Sequence, residues 1–167
     1  MSSKELTEIR RRFVEAGGNF TQSLGVGRVL GQIYAYMFFS PEPQTLDDLK
    51  EALGISKGAA SMAVRQLAQW GAVRRVWVKG ERKDYYEATD ELGNIIRKAL
   101  VDLVGRQMEV GDHLLDDVEN MVSGKNRTGK DTEETDFLRK RIQRLRAFRT
   151  RGQKLWQNSI LRMFLKR

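Results

Sequence analysis

The sequence predicts a mainly α-helical fold with one small β-hairpin, a compact central domain and long helices at both ends. Three observations carry that prediction. Apolar residues recur at helical spacing through most of the 167 residues. One stretch, from about Val73 to Thr89, switches instead to β-rich residues around a short polar turn. Finally, with 2 prolines, no cysteine, 40% hydrophobic and 31% charged residues, a turn-rich sandwich, a disulfide scaffold and a disordered chain are all excluded. A chain of this length has room for one core, which argues against a multi-domain enzyme. Its N-terminus lacks an export signal and no apolar run approaches the ~18 residues that span a bilayer, so a cytoplasmic protein without a membrane partner is expected.

The first helix is predicted from Ser2, which stands at capping-box spacing from Glu5, with Leu6, Ile9, Phe13, Ala16 and Phe20 along one face. Gly17-Gly18 marks a point at which it can break. A second, more apolar helix is predicted from about Val26 to Phe39, stopped by Ser40-Pro-Glu-Pro43 and apolar enough all round to be buried. Gly25, Gly27 and Gly31 look superficially like a phosphate-cradling loop, but no strand precedes them and no Gly-Lys-Ser/Thr ending follows. Helix packing is the better reading.

Thr45 then caps a third helix of about eight residues ending at Gly54, with Asp47 and Asp48 suited to the positive end of its dipole. After a three-residue turn, Ser56 caps a fourth helix from Lys57 to about Trp70, closed by Gly71. The hairpin follows as strands 73–78 and 84–89 about the turn Lys79-Gly-Glu-Arg82. Trp77, Tyr85 and Tyr86 are read as cross-strand packing. From Leu92 an apolar stripe of about thirty residues runs to Val122, a helix of roughly 45 Å. The polar, glycine-bearing stretch 123–130 reads as a hinge or mobile loop. A last amphipathic helix follows, marked by Phe137, Leu138, Ile142, Leu145, Phe148, Leu155, Trp156, Ile160, Met163 and Phe164. Neither long helix can bury its stripe alone, so a homodimer with a helical interface is expected. The organisation is therefore 1–24, an N-terminal dimerisation helix; 25–90, the central domain; and 91–167, long C-terminal dimerisation helices.

Charge narrows the function. The net +8 is divided into blocks: residues 54–83 hold seven bases and one acid, 84–123 ten acids and three bases, and 131–167 eleven bases and four acids. The first block calls for a polyanion, and the acidic block argues against indiscriminate stickiness. Pairing of the basic terminal run (Arg139-Lys-Arg141, Arg144, Arg146, Arg149, Arg151) with the acids of 84–123 is the favoured reading of that end. Helix, short turn, helix and hairpin is the layout of a winged helix-turn-helix, whose second helix enters the DNA major groove. On that helix Ala60, Ala63, Val64 and Leu67 face inward, while Ser56, Lys57, Gly58, Ser61, Met62 and Arg65 share the opposite face or its start. Ser56 and Lys57 sit where a helix N-terminus favours phosphate, and Gly58 permits close backbone approach. Ser61, Met62 and Arg65 are candidates for base-edge contact, Arg65 being able to form the bidentate guanine pair. In the wing, Lys79, Arg82 and Lys83 suit phosphates, and Arg82 is placed to enter a narrow minor groove. Arg74 and Arg75, adjacent on a strand, point to opposite faces and are assigned to neither role.

Gly27-Arg-Val-Leu-Gly31, Leu53-Gly-Ile-Ser-Lys-Gly-Ala-Ala-Ser-Met62, Arg65-Gln-Leu67, Trp70-Gly71 and Gly80-Glu-Arg-Lys-Asp-Tyr-Tyr86 resemble the MarR-like transcriptional regulators, specifically the GbsR branch, over about residues 20 to 92. The resemblance implies a prokaryotic dimeric repressor or activator of double-stranded DNA on an inverted-repeat operator; of the two, a repressor is the expectation. Named members of the branch respond to osmoprotectant precursors such as choline. The long C-terminal helix matches no motif, so a small-molecule effector is left without identity. The alternative is a winged-helix protein-interaction or RNA-binding module without sequence-specific DNA binding. Catalysis, cofactors and metals find no support: His113 is the only histidine, and its neighbours Asp112, Asp116, Asp117 and Glu119 read as a solvated helix face.

Overall fold

The computed structural model describes residues 3–123 and 131–157. Most of the hinge stretch, Ser2, and Ile160, Met163 and Phe164 lie outside the described residues. Six helices and one hairpin appear among the described residues: α1 Ser3–Ser23, α2 Arg28–Phe38, α3 Leu46–Leu53, α4 Lys57–Gln69, β1 Val73–Val76, β2 Tyr85–Ala88, α5 Leu92–Ser123 and α6 Asp131–Gln157. They divide into two compact units, the first running to Ala99 and the second starting at Leu100.

α1 does not break at Gly17-Gly18; it runs straight through. The reason is tertiary. A Cβ on Gly31 would lie 1.9 Å from the Gly17 carbonyl oxygen, and one on Gly17 2.7 Å from the Gly31 carbonyl oxygen, so the backbones of α1 and α2 touch where both lack side chains. The Thr21 hydroxyl joins the crossing, donating to the Gly27 carbonyl at 2.8 Å and accepting from the Gly31 N–H at 3.1 Å. Farther along, the Phe13 and Phe39 rings stack with centroids 4.3 Å apart. The packed positions Gly17, Gly18 and Thr21 lie roughly a quarter-turn around α1 from its apolar stripe. Leu6, Ile9, Phe13, Phe20 and Leu24 consequently stay exposed.

Local chemistry dictates α3 and α4. Thr45 and Asp48 form a reciprocal capping box: the Thr45 hydroxyl accepts from the Asp48 N–H at 3.1 Å, and the Thr45 N–H donates to the Asp48 carboxylate at 2.8 Å. Gly54, at φ 64°, ends α3 in the left-handed conformation that glycine adopts without strain. Ser56 caps α4 by accepting from the Ala59 N–H at 3.1 Å. The strands are shorter than the 73–78 and 84–89 expected, pairing antiparallel from Val73↔Ala88 to Val76↔Tyr85. Gln44 extends the ladder on the other side of β2, exchanging two 2.8 Å backbone hydrogen bonds with Tyr86. Ile33 from α2, Leu49 from α3, Ala60 and Leu67 from α4, Trp70, Val73 from β1 and Ile95 from α5 form one core. Ile33 and Leu49 are fully buried.

The second unit is built differently. Its described residues bury one large apolar side chain, Ile142, at 8% exposure. Arg146 of α6 instead reaches Asp116 (2.6 Å) and Glu119 (3.0 Å) of α5, and Arg149 pairs with Asp112. The expected pairing of the basic terminal run with the acidic block is thus realised within one chain at two arginines. Val110, Leu114, Met121, Leu145 and Phe148 are exposed.

Candidate nucleic-acid interface

The periodicity of α4 assigns its two faces. Ala60, Ala63, Val64 and Leu67 are sealed in the core, each 5% exposed or less. Ser56, Lys57, Gly58 and Arg65 are exposed and Ser61 is half-buried. Met62, at 73% exposure, carries the largest open apolar surface of the helix. A Cβ on Gly58 would meet nothing closer than the Ser56 hydroxyl at 3.9 Å. Internal packing therefore does not require glycine there, and the missing side chain leaves the backbone open from outside.

The segment between the strands holds Lys79, Arg82 and Lys83, all exposed. A turn closes it, the Glu81 N–H donating to the Val78 carbonyl at 3.2 Å with Gly80 at φ 87°. Arg74 and Arg75 are tied back into the hairpin, Arg74 to its register partner Glu87 and Arg75 to Asp84. The nine predicted residues thus share one unit and none belongs to its core.

Trp77 departs from expectation. It does not pack across the hairpin but is 79% exposed, because the ladder ends at Val76↔Tyr85 and leaves it no cross-strand partner. Tyr86 does pack against the core, and Tyr85 is half-buried. Another residue that sequence reasoning undervalued is Asp47, whose carboxylate lies 2.9 Å from the Lys57 ammonium. The hydrogen bond from Lys57 holds that carboxyl below its ordinary range. The signal was the doubled acid at Asp47-Asp48: one carboxylate suffices for the capping box, and the second is free to serve another element.

The acid-rich face of α5 is engaged by arginines at Asp112, Asp116 and Glu119. Among the described residues no three His, Cys, Asp or Glu side chains gather as a metal site. Nor is any described helix long and apolar enough to cross a membrane.

No protein-family model matches the chain. It is similar to the HTH-type transcriptional repressor OpcR of Bacillus subtilis, at 41% identity over 66 residues, covering 40% of this chain and 34% of that protein. It is also similar to the HTH-type transcriptional regulator MmpR5 of Mycobacterium tuberculosis, at 33% identity over 75 residues, covering 44% of this chain and 46% of that protein. The matched region spans less than half the length of these curated relatives. Both are named as regulators of transcription. A crystal structure of a transcriptional regulator has the same fold, with a TM-score of 0.50 at 23% identity over 84% of this chain and 90% of that one. The winged helix-turn-helix layout expected from the sequence is the fold of this protein.

Proposed function

We propose that the chain is a dimeric transcriptional regulator of the MarR type, in its GbsR branch, that binds duplex DNA through α4 and the wing. The observation that carries this reading is the division of α4, whose small apolar side is sealed in the core while Ser56, Lys57, Gly58, Ser61, Met62 and Arg65 form its other side or its start. Arg65, Ser61 and Met62 read base edges; Ser56 and Lys57, with Lys79, Arg82 and Lys83 from the wing, hold phosphates. Repression is the preferred sign, supported by the similarity to OpcR, which is named a repressor.

The apolar stripe of α1 and the open apolar positions of α5 and α6 support dimerisation through the terminal helices, since an uncovered stripe of this length is unfavourable in water. Two copies about a two-fold axis would place their α4 helices in successive major grooves, so the operator is an inverted repeat with half-sites roughly 10 base pairs apart.

Selection of bound fragments from a random duplex library at near-physiological salt tests the reading. The expected product is an inverted repeat. Arg65→Ala should lose about 1 to 3 kcal/mol of discrimination at one base position per half-site, whereas Lys79→Ala should weaken all duplexes alike and flatten the salt dependence. Recovery of no sequence, with binding to RNA or to a protein instead, would replace this function with the interaction-module alternative.

A further inference from the structure

Among the lysines that the proposed interface assigns to phosphates stands one carboxylate that the capping box of its own helix does not use. Asp48, not Asp47, completes the α3 capping box with Thr45. Asp47 turns to α4 instead, its Oδ1 lying 2.9 Å from Lys57 Nζ, and both side chains are well exposed. The Lys83 ammonium from the wing and that of Lys50 also act on the Asp47 carboxyl, adding to the hydrogen bond from Lys57. One acid therefore answers to a cation at the start of α4 and to another on the wing, two of the positions assigned to the DNA backbone.

Resting on the duplex-binding reading, we infer that Asp47 is an affinity-setting residue: in the free chain it occupies Lys57 as a phosphate would, and a duplex must take the lysine from it. A carboxylate and a phosphodiester oxygen are both anionic acceptors for the same ammonium, so they compete. Asp47 also keeps its negative charge beside the incoming backbone, where like charges repel. Because phosphates carry no sequence, this effect falls on all duplexes alike. It acts through Lys57, which makes Asp47 a positioning residue and not a reader of bases.

The test measures binding of a labelled random-sequence duplex to the full chain and to Asp47→Asn, from about 50 to about 200 mM salt. Asparagine keeps the size of the side chain and leaves the Thr45–Asp48 box intact. The variant should bind about three- to tenfold tighter at low salt, with a gain that shrinks as salt screens the competing carboxylate, so that its log affinity falls more steeply with log salt. Lys57→Ala should cost more affinity in the Asp47→Asn background than in the natural chain, because only there is the ammonium unclaimed. Equal or weaker binding by Asp47→Asn, or a lowered melting temperature with an unchanged salt slope, would overturn the inference alone and leave a surface ion pair that serves stability. If neither chain binds duplex at any salt, the underlying reading falls and this one falls with it.

Discussion

The two units of this chain solve the same problem, how to hold long helices together, by opposite means. In the first, α1 and α2 meet backbone to backbone at Gly17 and Gly31, and Ile33 and Leu49 are fully buried in a shared core. In the second, the described parts of α5 and α6 bury Ile142 and are joined by Arg146 and Arg149 to acids of α5. Close packing is short-ranged and unforgiving; ion pairs at partly exposed positions are tolerant and weak. The first unit is thus held rigid by its packing, and the second leaves apolar surface open, which the proposed dimer would cover.

The contrast is broken most severely at the glycine crossing. Gly31→Val places a branched side chain where even a Cβ lies 1.9 Å from a backbone oxygen, and backbone cannot swing aside as a side chain tip can. α1 must leave α2, at a cost expected above about 4 kcal/mol. A thermal melt within two or three degrees of the natural chain would show that the crossing is not tight. Next in size, Leu49→Ala empties a fully buried site and should cost about 2 to 5 kcal/mol. The matching truncation in the second unit, Leu114→Ala, removes an exposed side chain and should change stability by less than about 0.5 kcal/mol in dilute monomer. Leu114→Glu should instead shift dimer towards monomer in sedimentation; an unchanged dimer would exclude this stripe from the interface.

These same sites separate what the sequence disclosed from what it concealed. Thr45, Gly54 and Ser56 were legible because each acts within four residues of itself: a hydroxyl meets a nearby N–H, or a glycine takes a left-handed turn. The two faces of α4 were legible for the same reason, since 3.6-residue spacing sorts Ala60, Ala63, Val64 and Leu67 from Lys57, Met62 and Arg65. Gly17-Gly18 misled because the local cost of glycine in a helix argues for a break, and only the distant Gly31 reverses it. The Gln44 bridge to β2 and the Asp47–Lys57 pair likewise join elements that no local pattern connects.

A smaller effect sharpens the account of the second unit. Arg149 is mostly buried and paired with Asp112, yet its Nε is buried without a hydrogen-bond partner among the described residues. Part of its desolvation is therefore uncompensated. Arg149→Ala should cost about 1 kcal/mol through lost packing and pairing, while Arg149→Met, which keeps the stem, should be nearly neutral. Denaturant melts of the two variants at low and high salt check this. A large loss in Arg149→Met would mean that the pair with Asp112 is worth far more than a partly exposed ion pair usually is.

An effect on stability as small as that of Leu114→Ala belongs to Trp77, and its value lies in the contrast with Trp70. The two indoles stand seven positions apart in the same unit, one 5% exposed in the core and the other 79% exposed beyond the end of the ladder. Trp70→Ala should cost about 3 to 5 kcal/mol, while Trp77→Ala should change stability by less than about 0.5 kcal/mol. So large an open aromatic surface between Arg75 and Lys79 gains burial only when something docks on the wing. The difference in emission between the natural chain and Trp77→Phe should therefore shift when duplex is added, although the free-chain melts coincide. A Trp77→Ala loss above about 1 kcal/mol would show instead that the indole is packed in the free protein and that the wing is an extension of the core.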